Sequence, residues 1–228
     1  MRSLTGTLVL VGAGKMGGAM MEGWLKAGVE PSRIVALDPS PPPEVLKIIE
    51  TRGIRHNVAV ESIGDAEAVL LAVKPQIAEN VLPGVAPLGA SQPLFLSIIA
   101  GKTIASFERH FGADAAVIRT IPNTPAAIGR GITAMAANKN VSAKQMALAE
   151  ELLSSIGEVV KVGDEAMIDA CTAVSGSGPA YVFYLTECLA AAGEHVGLPA
   201  DLAMKLARAT VAGSGELMRQ SGIDAAIL

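Results

Sequence analysis

Glycine spacing directly after a short apolar run constrains this chain more than any other feature. Thr7–Val11 (TLVLV) reads as a buried strand, and Gly12-Ala13-Gly14-Lys15-Met16-Gly17 follows at once. Gly18–Ala27 is helix-permissive, and a second apolar run, Arg33–Leu37, ends at Asp38. Strand, G-x-G-x-x-G turn, helix, strand and terminal acid together form a dinucleotide fingerprint in its required context. Gly12 permits the tight turn, Gly14 lets backbone approach a diphosphate, and Gly17 lets the helix pack on the strand. The helix N-terminus offers N–H groups and partial positive charge to phosphate. Asp38 falls about 20 residues further on, where an acid accepts hydrogen bonds from ribose hydroxyls.

The bulk numbers narrow the class. At 228 residues the chain makes one large or two modest domains. Half of it is hydrophobic and its mean hydropathy is +0.44, so a sizeable core is available. Aromatic residues are only 3%, so that core is built from aliphatic side chains and the 9 methionines. A net charge of −4 lacks the basic footprint of a nucleic-acid binder. Cys171 and Cys188 lack metal-ligand spacing and read as buried thiols, so no metal is expected. Without a secretory h-region or an uncharged run of ~18–20 residues, no membrane association is expected and the setting reads as cytoplasmic.

Strand-like and helix-like segments alternate as far as Val162. The strands read Thr7–Val11, Arg33–Leu37, Gly53–Arg55, Ala68–Val73, Leu94–Ile99, Ala116–Thr120, Ile132–Ala137 and Glu158–Val162. Helical patterns fill most gaps, at Met16–Ala27, Glu44–Thr51, Gln76–Val85, Thr103–Phe111 and Ser142–Ser155. This rhythm predicts an α/β fold, a Rossmann-type doubly wound, mostly parallel sheet. Beyond Val162 the character becomes helical, at Asp164–Val174, Pro179–Val196 and Pro199–Gln220. The expected organisation is a nucleotide-binding domain over 1–162 and an all-α domain over 163–228. Ala180–Ala192 is apolar nearly all round, which reads as an oligomer interface or as intramolecular helix packing.

Ligands of open parallel sheets sit beyond the carboxyl ends of the strands. There, Lys74 precedes Pro75 and is either a cofactor or substrate contact or a solvated lysine. Ile99-Ala100-Gly101 is either small enough to admit a flat ring close to backbone or a plain strand-to-helix turn. Asn123, bracketed by Pro122 and Pro125, is either a presented amide or a turn-stabilising Asx residue. Ser175, Ser177 and Gly178 precede Pro179, so Ser177 or Gly178 reads as the cap of an anion-attracting helix N-terminus. His56, His110 and His195 show no triad pattern. A helix Lys with Asn four residues later is missing, since Ala209 follows Lys205, which disfavours alcohol chemistry.

Several blocks resemble pyrroline-5-carboxylate reductases in their order along the chain. They are GAGKMGGAM (Gly12–Met20), AVKPQ (Ala72–Gln76), IAGKTI (Ile99–Ile104), RTIPNTPA (Arg119–Ala126) and AVSGSGPAYVF (Ala173–Phe183). The resemblance runs from Leu8 to the C-terminus, and its last block is the most specific. It implies a Rossmann domain, a helical dimerisation domain, a homodimer through the C-terminal helices and assembly into a decamer. It implies hydride transfer from NADPH or NADH to the small cyclic imine L-1-pyrroline-5-carboxylate, giving L-proline.

Carried onto this chain, the resemblance puts cofactor contacts at Gly12, Ala13, Gly14, Lys15, Met16, Gly17, Asp38, Ser40, Asn57, Ala72, Val73, Lys74, Pro75 and Ala100. Asn123, Ser175, Ser177 and Gly178 stand on the substrate side. The family's substrate loop, of Ser/Thr-Pro-Gly-Gly-Thr type, is expected after the last helix. The catalytic hydroxyl donor is therefore expected beyond Leu228 and is assigned to no residue here. Asp38 favours NADH, because a carboxylate repels a 2′-phosphate, whereas the family commonly uses NADPH. Other readings are a hydroxyacid-type dehydrogenase of similar architecture and a non-catalytic dinucleotide-sensing module.

Overall fold

The computed structural model describes residues 4–228. Eight strands form one sheet: β1 (Thr7–Val11), β2 (Ile34–Leu37), β3 (Arg55–His56), β4 (Ala66–Leu71), β5 (Leu94–Ser97), β6 (Ala116–Ile121), β7 (Gly131–Ala137) and β8 (Gly157–Lys161). Their order is β3-β2-β1-β4-β5-β6-β7-β8. Five helices flank them: α1 (Lys15–Lys26), α2 (Pro43–Arg52), α3 (Ala78–Val85), α4 (Ile104–Phe111) and α5 (Ala143–Ser154).

Alternation along each strand sorts the core into two layers. Leu8, Leu10, Ala36, Leu70, Leu94 and Leu96 face α1, α2 and α5, whereas Val9, Val11, Val35, Leu71 and Phe95 face α3 and α4. Period-two side chains with helices on both faces are what a doubly wound sheet requires. The single tryptophan, Trp24, is fully buried and its Nε1–H donates to the Leu152 carbonyl at 3.1 Å, tying α1 to α5.

Pairing is parallel from β3 through β6, and β7 then runs antiparallel to β6. The connection between Ile121 and Gly131 holds only a short 3-10 helix, Thr124–Ile128, and its flanking turns. A parallel return needs a crossover of about a dozen residues or more, so this connection can only reverse direction. β4 ends at Leu71, so Ala72 and Val73, expected inside the strand, belong to the loop that follows it.

The helix expected over Asp164–Val174 is shorter and changes pitch. α6 covers Met167–Cys171, and a π-helical turn covers Thr172–Gly176. Thr172 Oγ1 donates to the Ile168 carbonyl and Ser175 Oγ to the Cys171 carbonyl, and such back-bonding favours a widened turn.

The described chain divides into two compact units, one ending at Gly176 and one spanning Ser177–Leu228. The sequence reading puts the division after Val162, where the α/β alternation stops. The second unit is a helical hairpin, α7 (Gly178–His195) and α8 (Ala200–Ser221). Gly193 meets Ala203 where these helices approach, and Ala190, Ala203 and Ala207 are buried. Tyr181, Val182, Phe183, Tyr184, Leu185 and Leu189 are exposed on α7. Among the described residues no helix is long and apolar enough to cross a membrane.

Candidate active site

The tip of β1 is shaped by contacts that only glycine allows. Gly12 has φ +93°, and a Cβ there would lie 2.8 Å from the Ala72 backbone. A Cβ on Gly17 would lie 2.2 Å from the Gly12 carbonyl oxygen. These two glycines let α1 start directly over the strand tip, while a Cβ on Gly14 would point into open space. Gly18 N–H closes the first turn of α1 onto the Gly14 carbonyl at 2.7 Å. The amides of Lys15, Met16 and Gly17 precede that bond and point out of the N-terminus. Open space at Gly14, outward amides and the exposed Lys15 fit the diphosphate of a dinucleotide.

Asp38 follows β2 and folds back on the loop. Its Oδ2 accepts from Ala13 N–H at 2.7 Å and its Oδ1 from Ser40 N–H at 2.8 Å. Asn57 turns its amide to the Asp38 backbone: Oδ1 accepts the Asp38 N–H and Nδ2 donates to the Asp38 carbonyl, both at 2.9 Å. Ala13, Asp38, Ser40 and Asn57 are thus one hydrogen-bonded group. On the other side of β1, Ala72 N–H donates to the Val11 carbonyl at 2.7 Å, which sets the Ala72–Pro75 loop beside Gly12. Lys74 and Pro75 are exposed there, with Val73 half-buried.

The tips of β5 and β6 frame a cavity of about 210 Å³ lined by Ile99, Ala100, Gly101, Arg119, Thr120, Ile121, Ile168, Asp169 and Thr172. Buried Ser97 braces two of the lining residues: Ser97 Oγ accepts from Ile99 N–H, and its carbonyl accepts from Thr120 Oγ1. Arg119 is buried and donates to Glu165 at 3.1 Å and to Asp169 at 2.7 Å. Glu165 also accepts the Ile104 N–H, so one carboxylate joins the start of α4 to β6.

No sequence pattern points to this Arg119–Glu165–Asp169 group as a whole. Its signal was a lone cation inside the apolar run Ala116–Thr120. Its two acids lie far along the chain, so no local pattern links them.

Asn123 is buried, and its Oδ1 accepts the Ile132 N–H at 3.0 Å, fixing the start of β7. Ser175 directs its hydroxyl to its own helix, at the Cys171 carbonyl. Ser177 precedes α7 with helical torsions, φ −89° and ψ −21°, and its side chain makes no capping bond. The expected cap lacks the extended backbone that lets a serine oxygen reach forward to N–H groups. Gly178 is the first residue of α7.

Comparison with known proteins places the chain. Residues 165–228 match the family model for pyrroline-5-carboxylate reductase dimerisation, and residues 7–101 match that for NADP oxidoreductase, coenzyme F420-dependent. A pyrroline-5-carboxylate reductase of Pseudomonas aeruginosa is 36% identical over 231 residues, covering 98% of this chain and 82% of the relative. One from Synechocystis is 47% identical over 161 residues, covering 71% of this chain and 59% of the relative. The pyrroline-5-carboxylate reductase of Coxiella burnetii aligns with a TM-score of 0.88 at 29% identity, covering 97% of this chain and 82% of that one. The Plasmodium falciparum pyrroline carboxylate reductase, solved with NADP bound, aligns with a TM-score of 0.80 at 29% identity, covering 94% and 79%. With a relative 36% identical across nearly its whole length, the chain belongs to the pyrroline-5-carboxylate reductase family.

Proposed function

We propose that this chain reduces L-1-pyrroline-5-carboxylate to L-proline with a reduced nicotinamide dinucleotide. The observation that carries this reading is the glycine loop, whose Gly12 and Gly17 contacts exclude any side chain while Gly14 opens outward, in a member of this family. The reduced nicotinamide, when bound, supplies the hydride to the imine carbon.

The chain's own residues bind and orient. Gly12–Gly17 and the N-terminus of α1 hold the diphosphate, with Lys15 adding a positive charge. Asp38, Ser40 and Asn57 form the adenosine end. Ala72, Val73, Lys74 and Pro75 flank the nucleotide on the β4 side, and Ala100 admits the ring next to backbone. A separation of about 3–3.5 Å between donor and acceptor carbons is what such positioning must achieve. A protonated imine is already electrophilic, so precise placement replaces a strong base. Asn123 serves the substrate side through its amide nitrogen, its oxygen being engaged by Ile132. Ser175 stands on that side too, with its hydroxyl donated to the Cys171 carbonyl.

The same reading makes residues 1–162 the nucleotide-binding domain and 163–228 the helical domain. The exposed apolar face of α7 pairs with a second copy, and dimers assemble further into a decamer. A cytoplasmic setting suits Cys171 and Cys188, both free thiols.

The test is an assay of this chain with pyrroline-5-carboxylate and reduced nucleotide, following nucleotide oxidation and proline formation together. Substrate-dependent oxidation with matching proline is expected. Oxidation that does not depend on the imine, or none at all, overturns the proposal.

A further inference from the structure

We infer that Asn57, by fixing Asp38, makes this chain select NADH over NADPH. This rests on the dinucleotide reading above and adds a positioning residue to it. Asp38 is held at every polar atom it has. Its N–H and carbonyl are gripped by the two ends of the Asn57 amide, which imitates one rung of a parallel sheet just past the end of β2. His56 Nε2 lies 3.0 Å from the same carbonyl. The two carboxylate oxygens are held by Ala13 N–H and Ser40 N–H.

Asn57 takes a strained conformation to do this. Its φ is +49°, and its own N–H donates to the Ala36 carbonyl at 2.9 Å, which locks it to β2. A non-glycine residue is uncommon in that region, and such strain persists where the surroundings over-determine it. Asparagine tolerates the left-handed region and brings both a donor and an acceptor, so it suits the position better than glycine or alanine.

The consequence is electrostatic. Each Asp38 oxygen keeps a lone pair free to accept a ribose hydroxyl. A 2′-phosphate at the same place would meet a fixed carboxylate that cannot swing away without breaking its bonds to the glycine loop. Among the described residues both carboxylate oxygens are bonded to backbone N–H groups and neither pairs with a lysine or arginine. No Lys or Arg occurs between Asp38 and Lys47. Arg55, on the neighbouring strand, turns its guanidinium to Thr7 Oγ1. A mobile acid could yield to NADPH, and this one is held.

The experiment is equilibrium titration of the protein with NADH and with NADPH, read by nicotinamide fluorescence and by heat. The wild type should bind NADH about ten-fold or more tighter than NADPH, the scale of like-charge repulsion. Asn57→Gly keeps the left-handed backbone and removes the amide, so the ratio should fall to about three-fold or less. Asp38→Ser should erase it. Destabilisation alone weakens both nucleotides and leaves the ratio unchanged, so the ratio isolates positioning. If Asn57→Gly does not fold, Asn57→Asp carries the same test, since it replaces the donor to the Asp38 carbonyl with an acceptor.

Equal or reversed affinities in the wild type overturn the inference, as does an unchanged ratio in both Asn57 variants. Selective NADH binding without imine reduction keeps the inference and overturns the proposed activity. No binding of either nucleotide overturns both.

Discussion

The α/β unit and the helical unit treat their apolar side chains in opposite ways. In the first, strand residues from Leu8 to Ile118 are sealed between two helical layers. In the second, burial is confined to small residues, Ala190, Ala203 and Ala207, while Phe183 is 61% exposed and Tyr184 68%. A unit that covers its own core can fix a loop geometry to a fraction of an ångström. A unit that leaves aromatics on its surface carries the kind of apolar patch that marks an interaction surface, the role proposed above for α7.

The largest effect is expected where the first unit is tightest. Gly17→Ala forces a Cβ against the Gly12 carbonyl. It should cost about 3 kcal/mol or more of stability and abolish nucleotide binding, measured by denaturant unfolding and by titration with NADH. Normal binding in this variant would break the claim that the α/β unit owes its site to close packing.

The second expectation concerns the exposed face. Phe183→Asp should convert the oligomer to smaller species in analytical ultracentrifugation while the far-ultraviolet circular dichroism is retained. Hot-spot losses of about 2 kcal/mol or more per aromatic set the scale. An unchanged mass would show that α7 is not the pairing face.

Arg119→Met should be milder, about 2 kcal/mol by thermal unfolding, because Glu165 and Asp169 retain access to water once unpaired. Arg119→Lys should recover only part of it, since one ammonium cannot reach both carboxylates in the fork geometry. Full recovery would reduce the group to simple charge neutralisation.

The smallest effect is pH-dependent. Burial works to raise the pKa of Glu67, but the N–H groups of Gly6 and Thr5, together with Lys144, outweigh it and hold the carboxyl below its ordinary value of 4.5. A depressed folded pKa stabilises above the unfolded pKa and is lost as pH falls through the folded one. Glu67→Gln should therefore lower Tm at neutral pH by an amount that shrinks toward zero as the pH drops below about 4. A constant difference across that range would show that the charge is not what holds the chain segment before β1.

The first strand, glycine turn, helix and acid could be read directly because their contacts are local. Gly12, Gly14 and Gly17 lie within one turn, and the roles follow from spacing. Asp38 was legible as an acid at a strand end. Its capture by Ala13 and Asn57 was not, because those partners come from separate loops brought together by parallel pairing. The antiparallel turn of β7 was legible only in the shortness of its connection. Ser177 does take the N-cap position of α7, but its side chain makes no capping bond because the preceding turn stays helical, held by Thr172 and Ser175 hydroxyls that a pattern of Ser, Gly and Pro does not reveal.

What the sequence alone determined is the α/β order, the phosphate loop and the apolar face of α7, because each depends on periodicity or on neighbours a few positions apart. Tertiary structure decided how firmly Asp38 is held, which acids neutralise Arg119, and which serine hydroxyls are already engaged. Those are contacts between residues far apart in the chain, and only the packed sheet sets the distances on which hydrogen bonds and charge pairs depend.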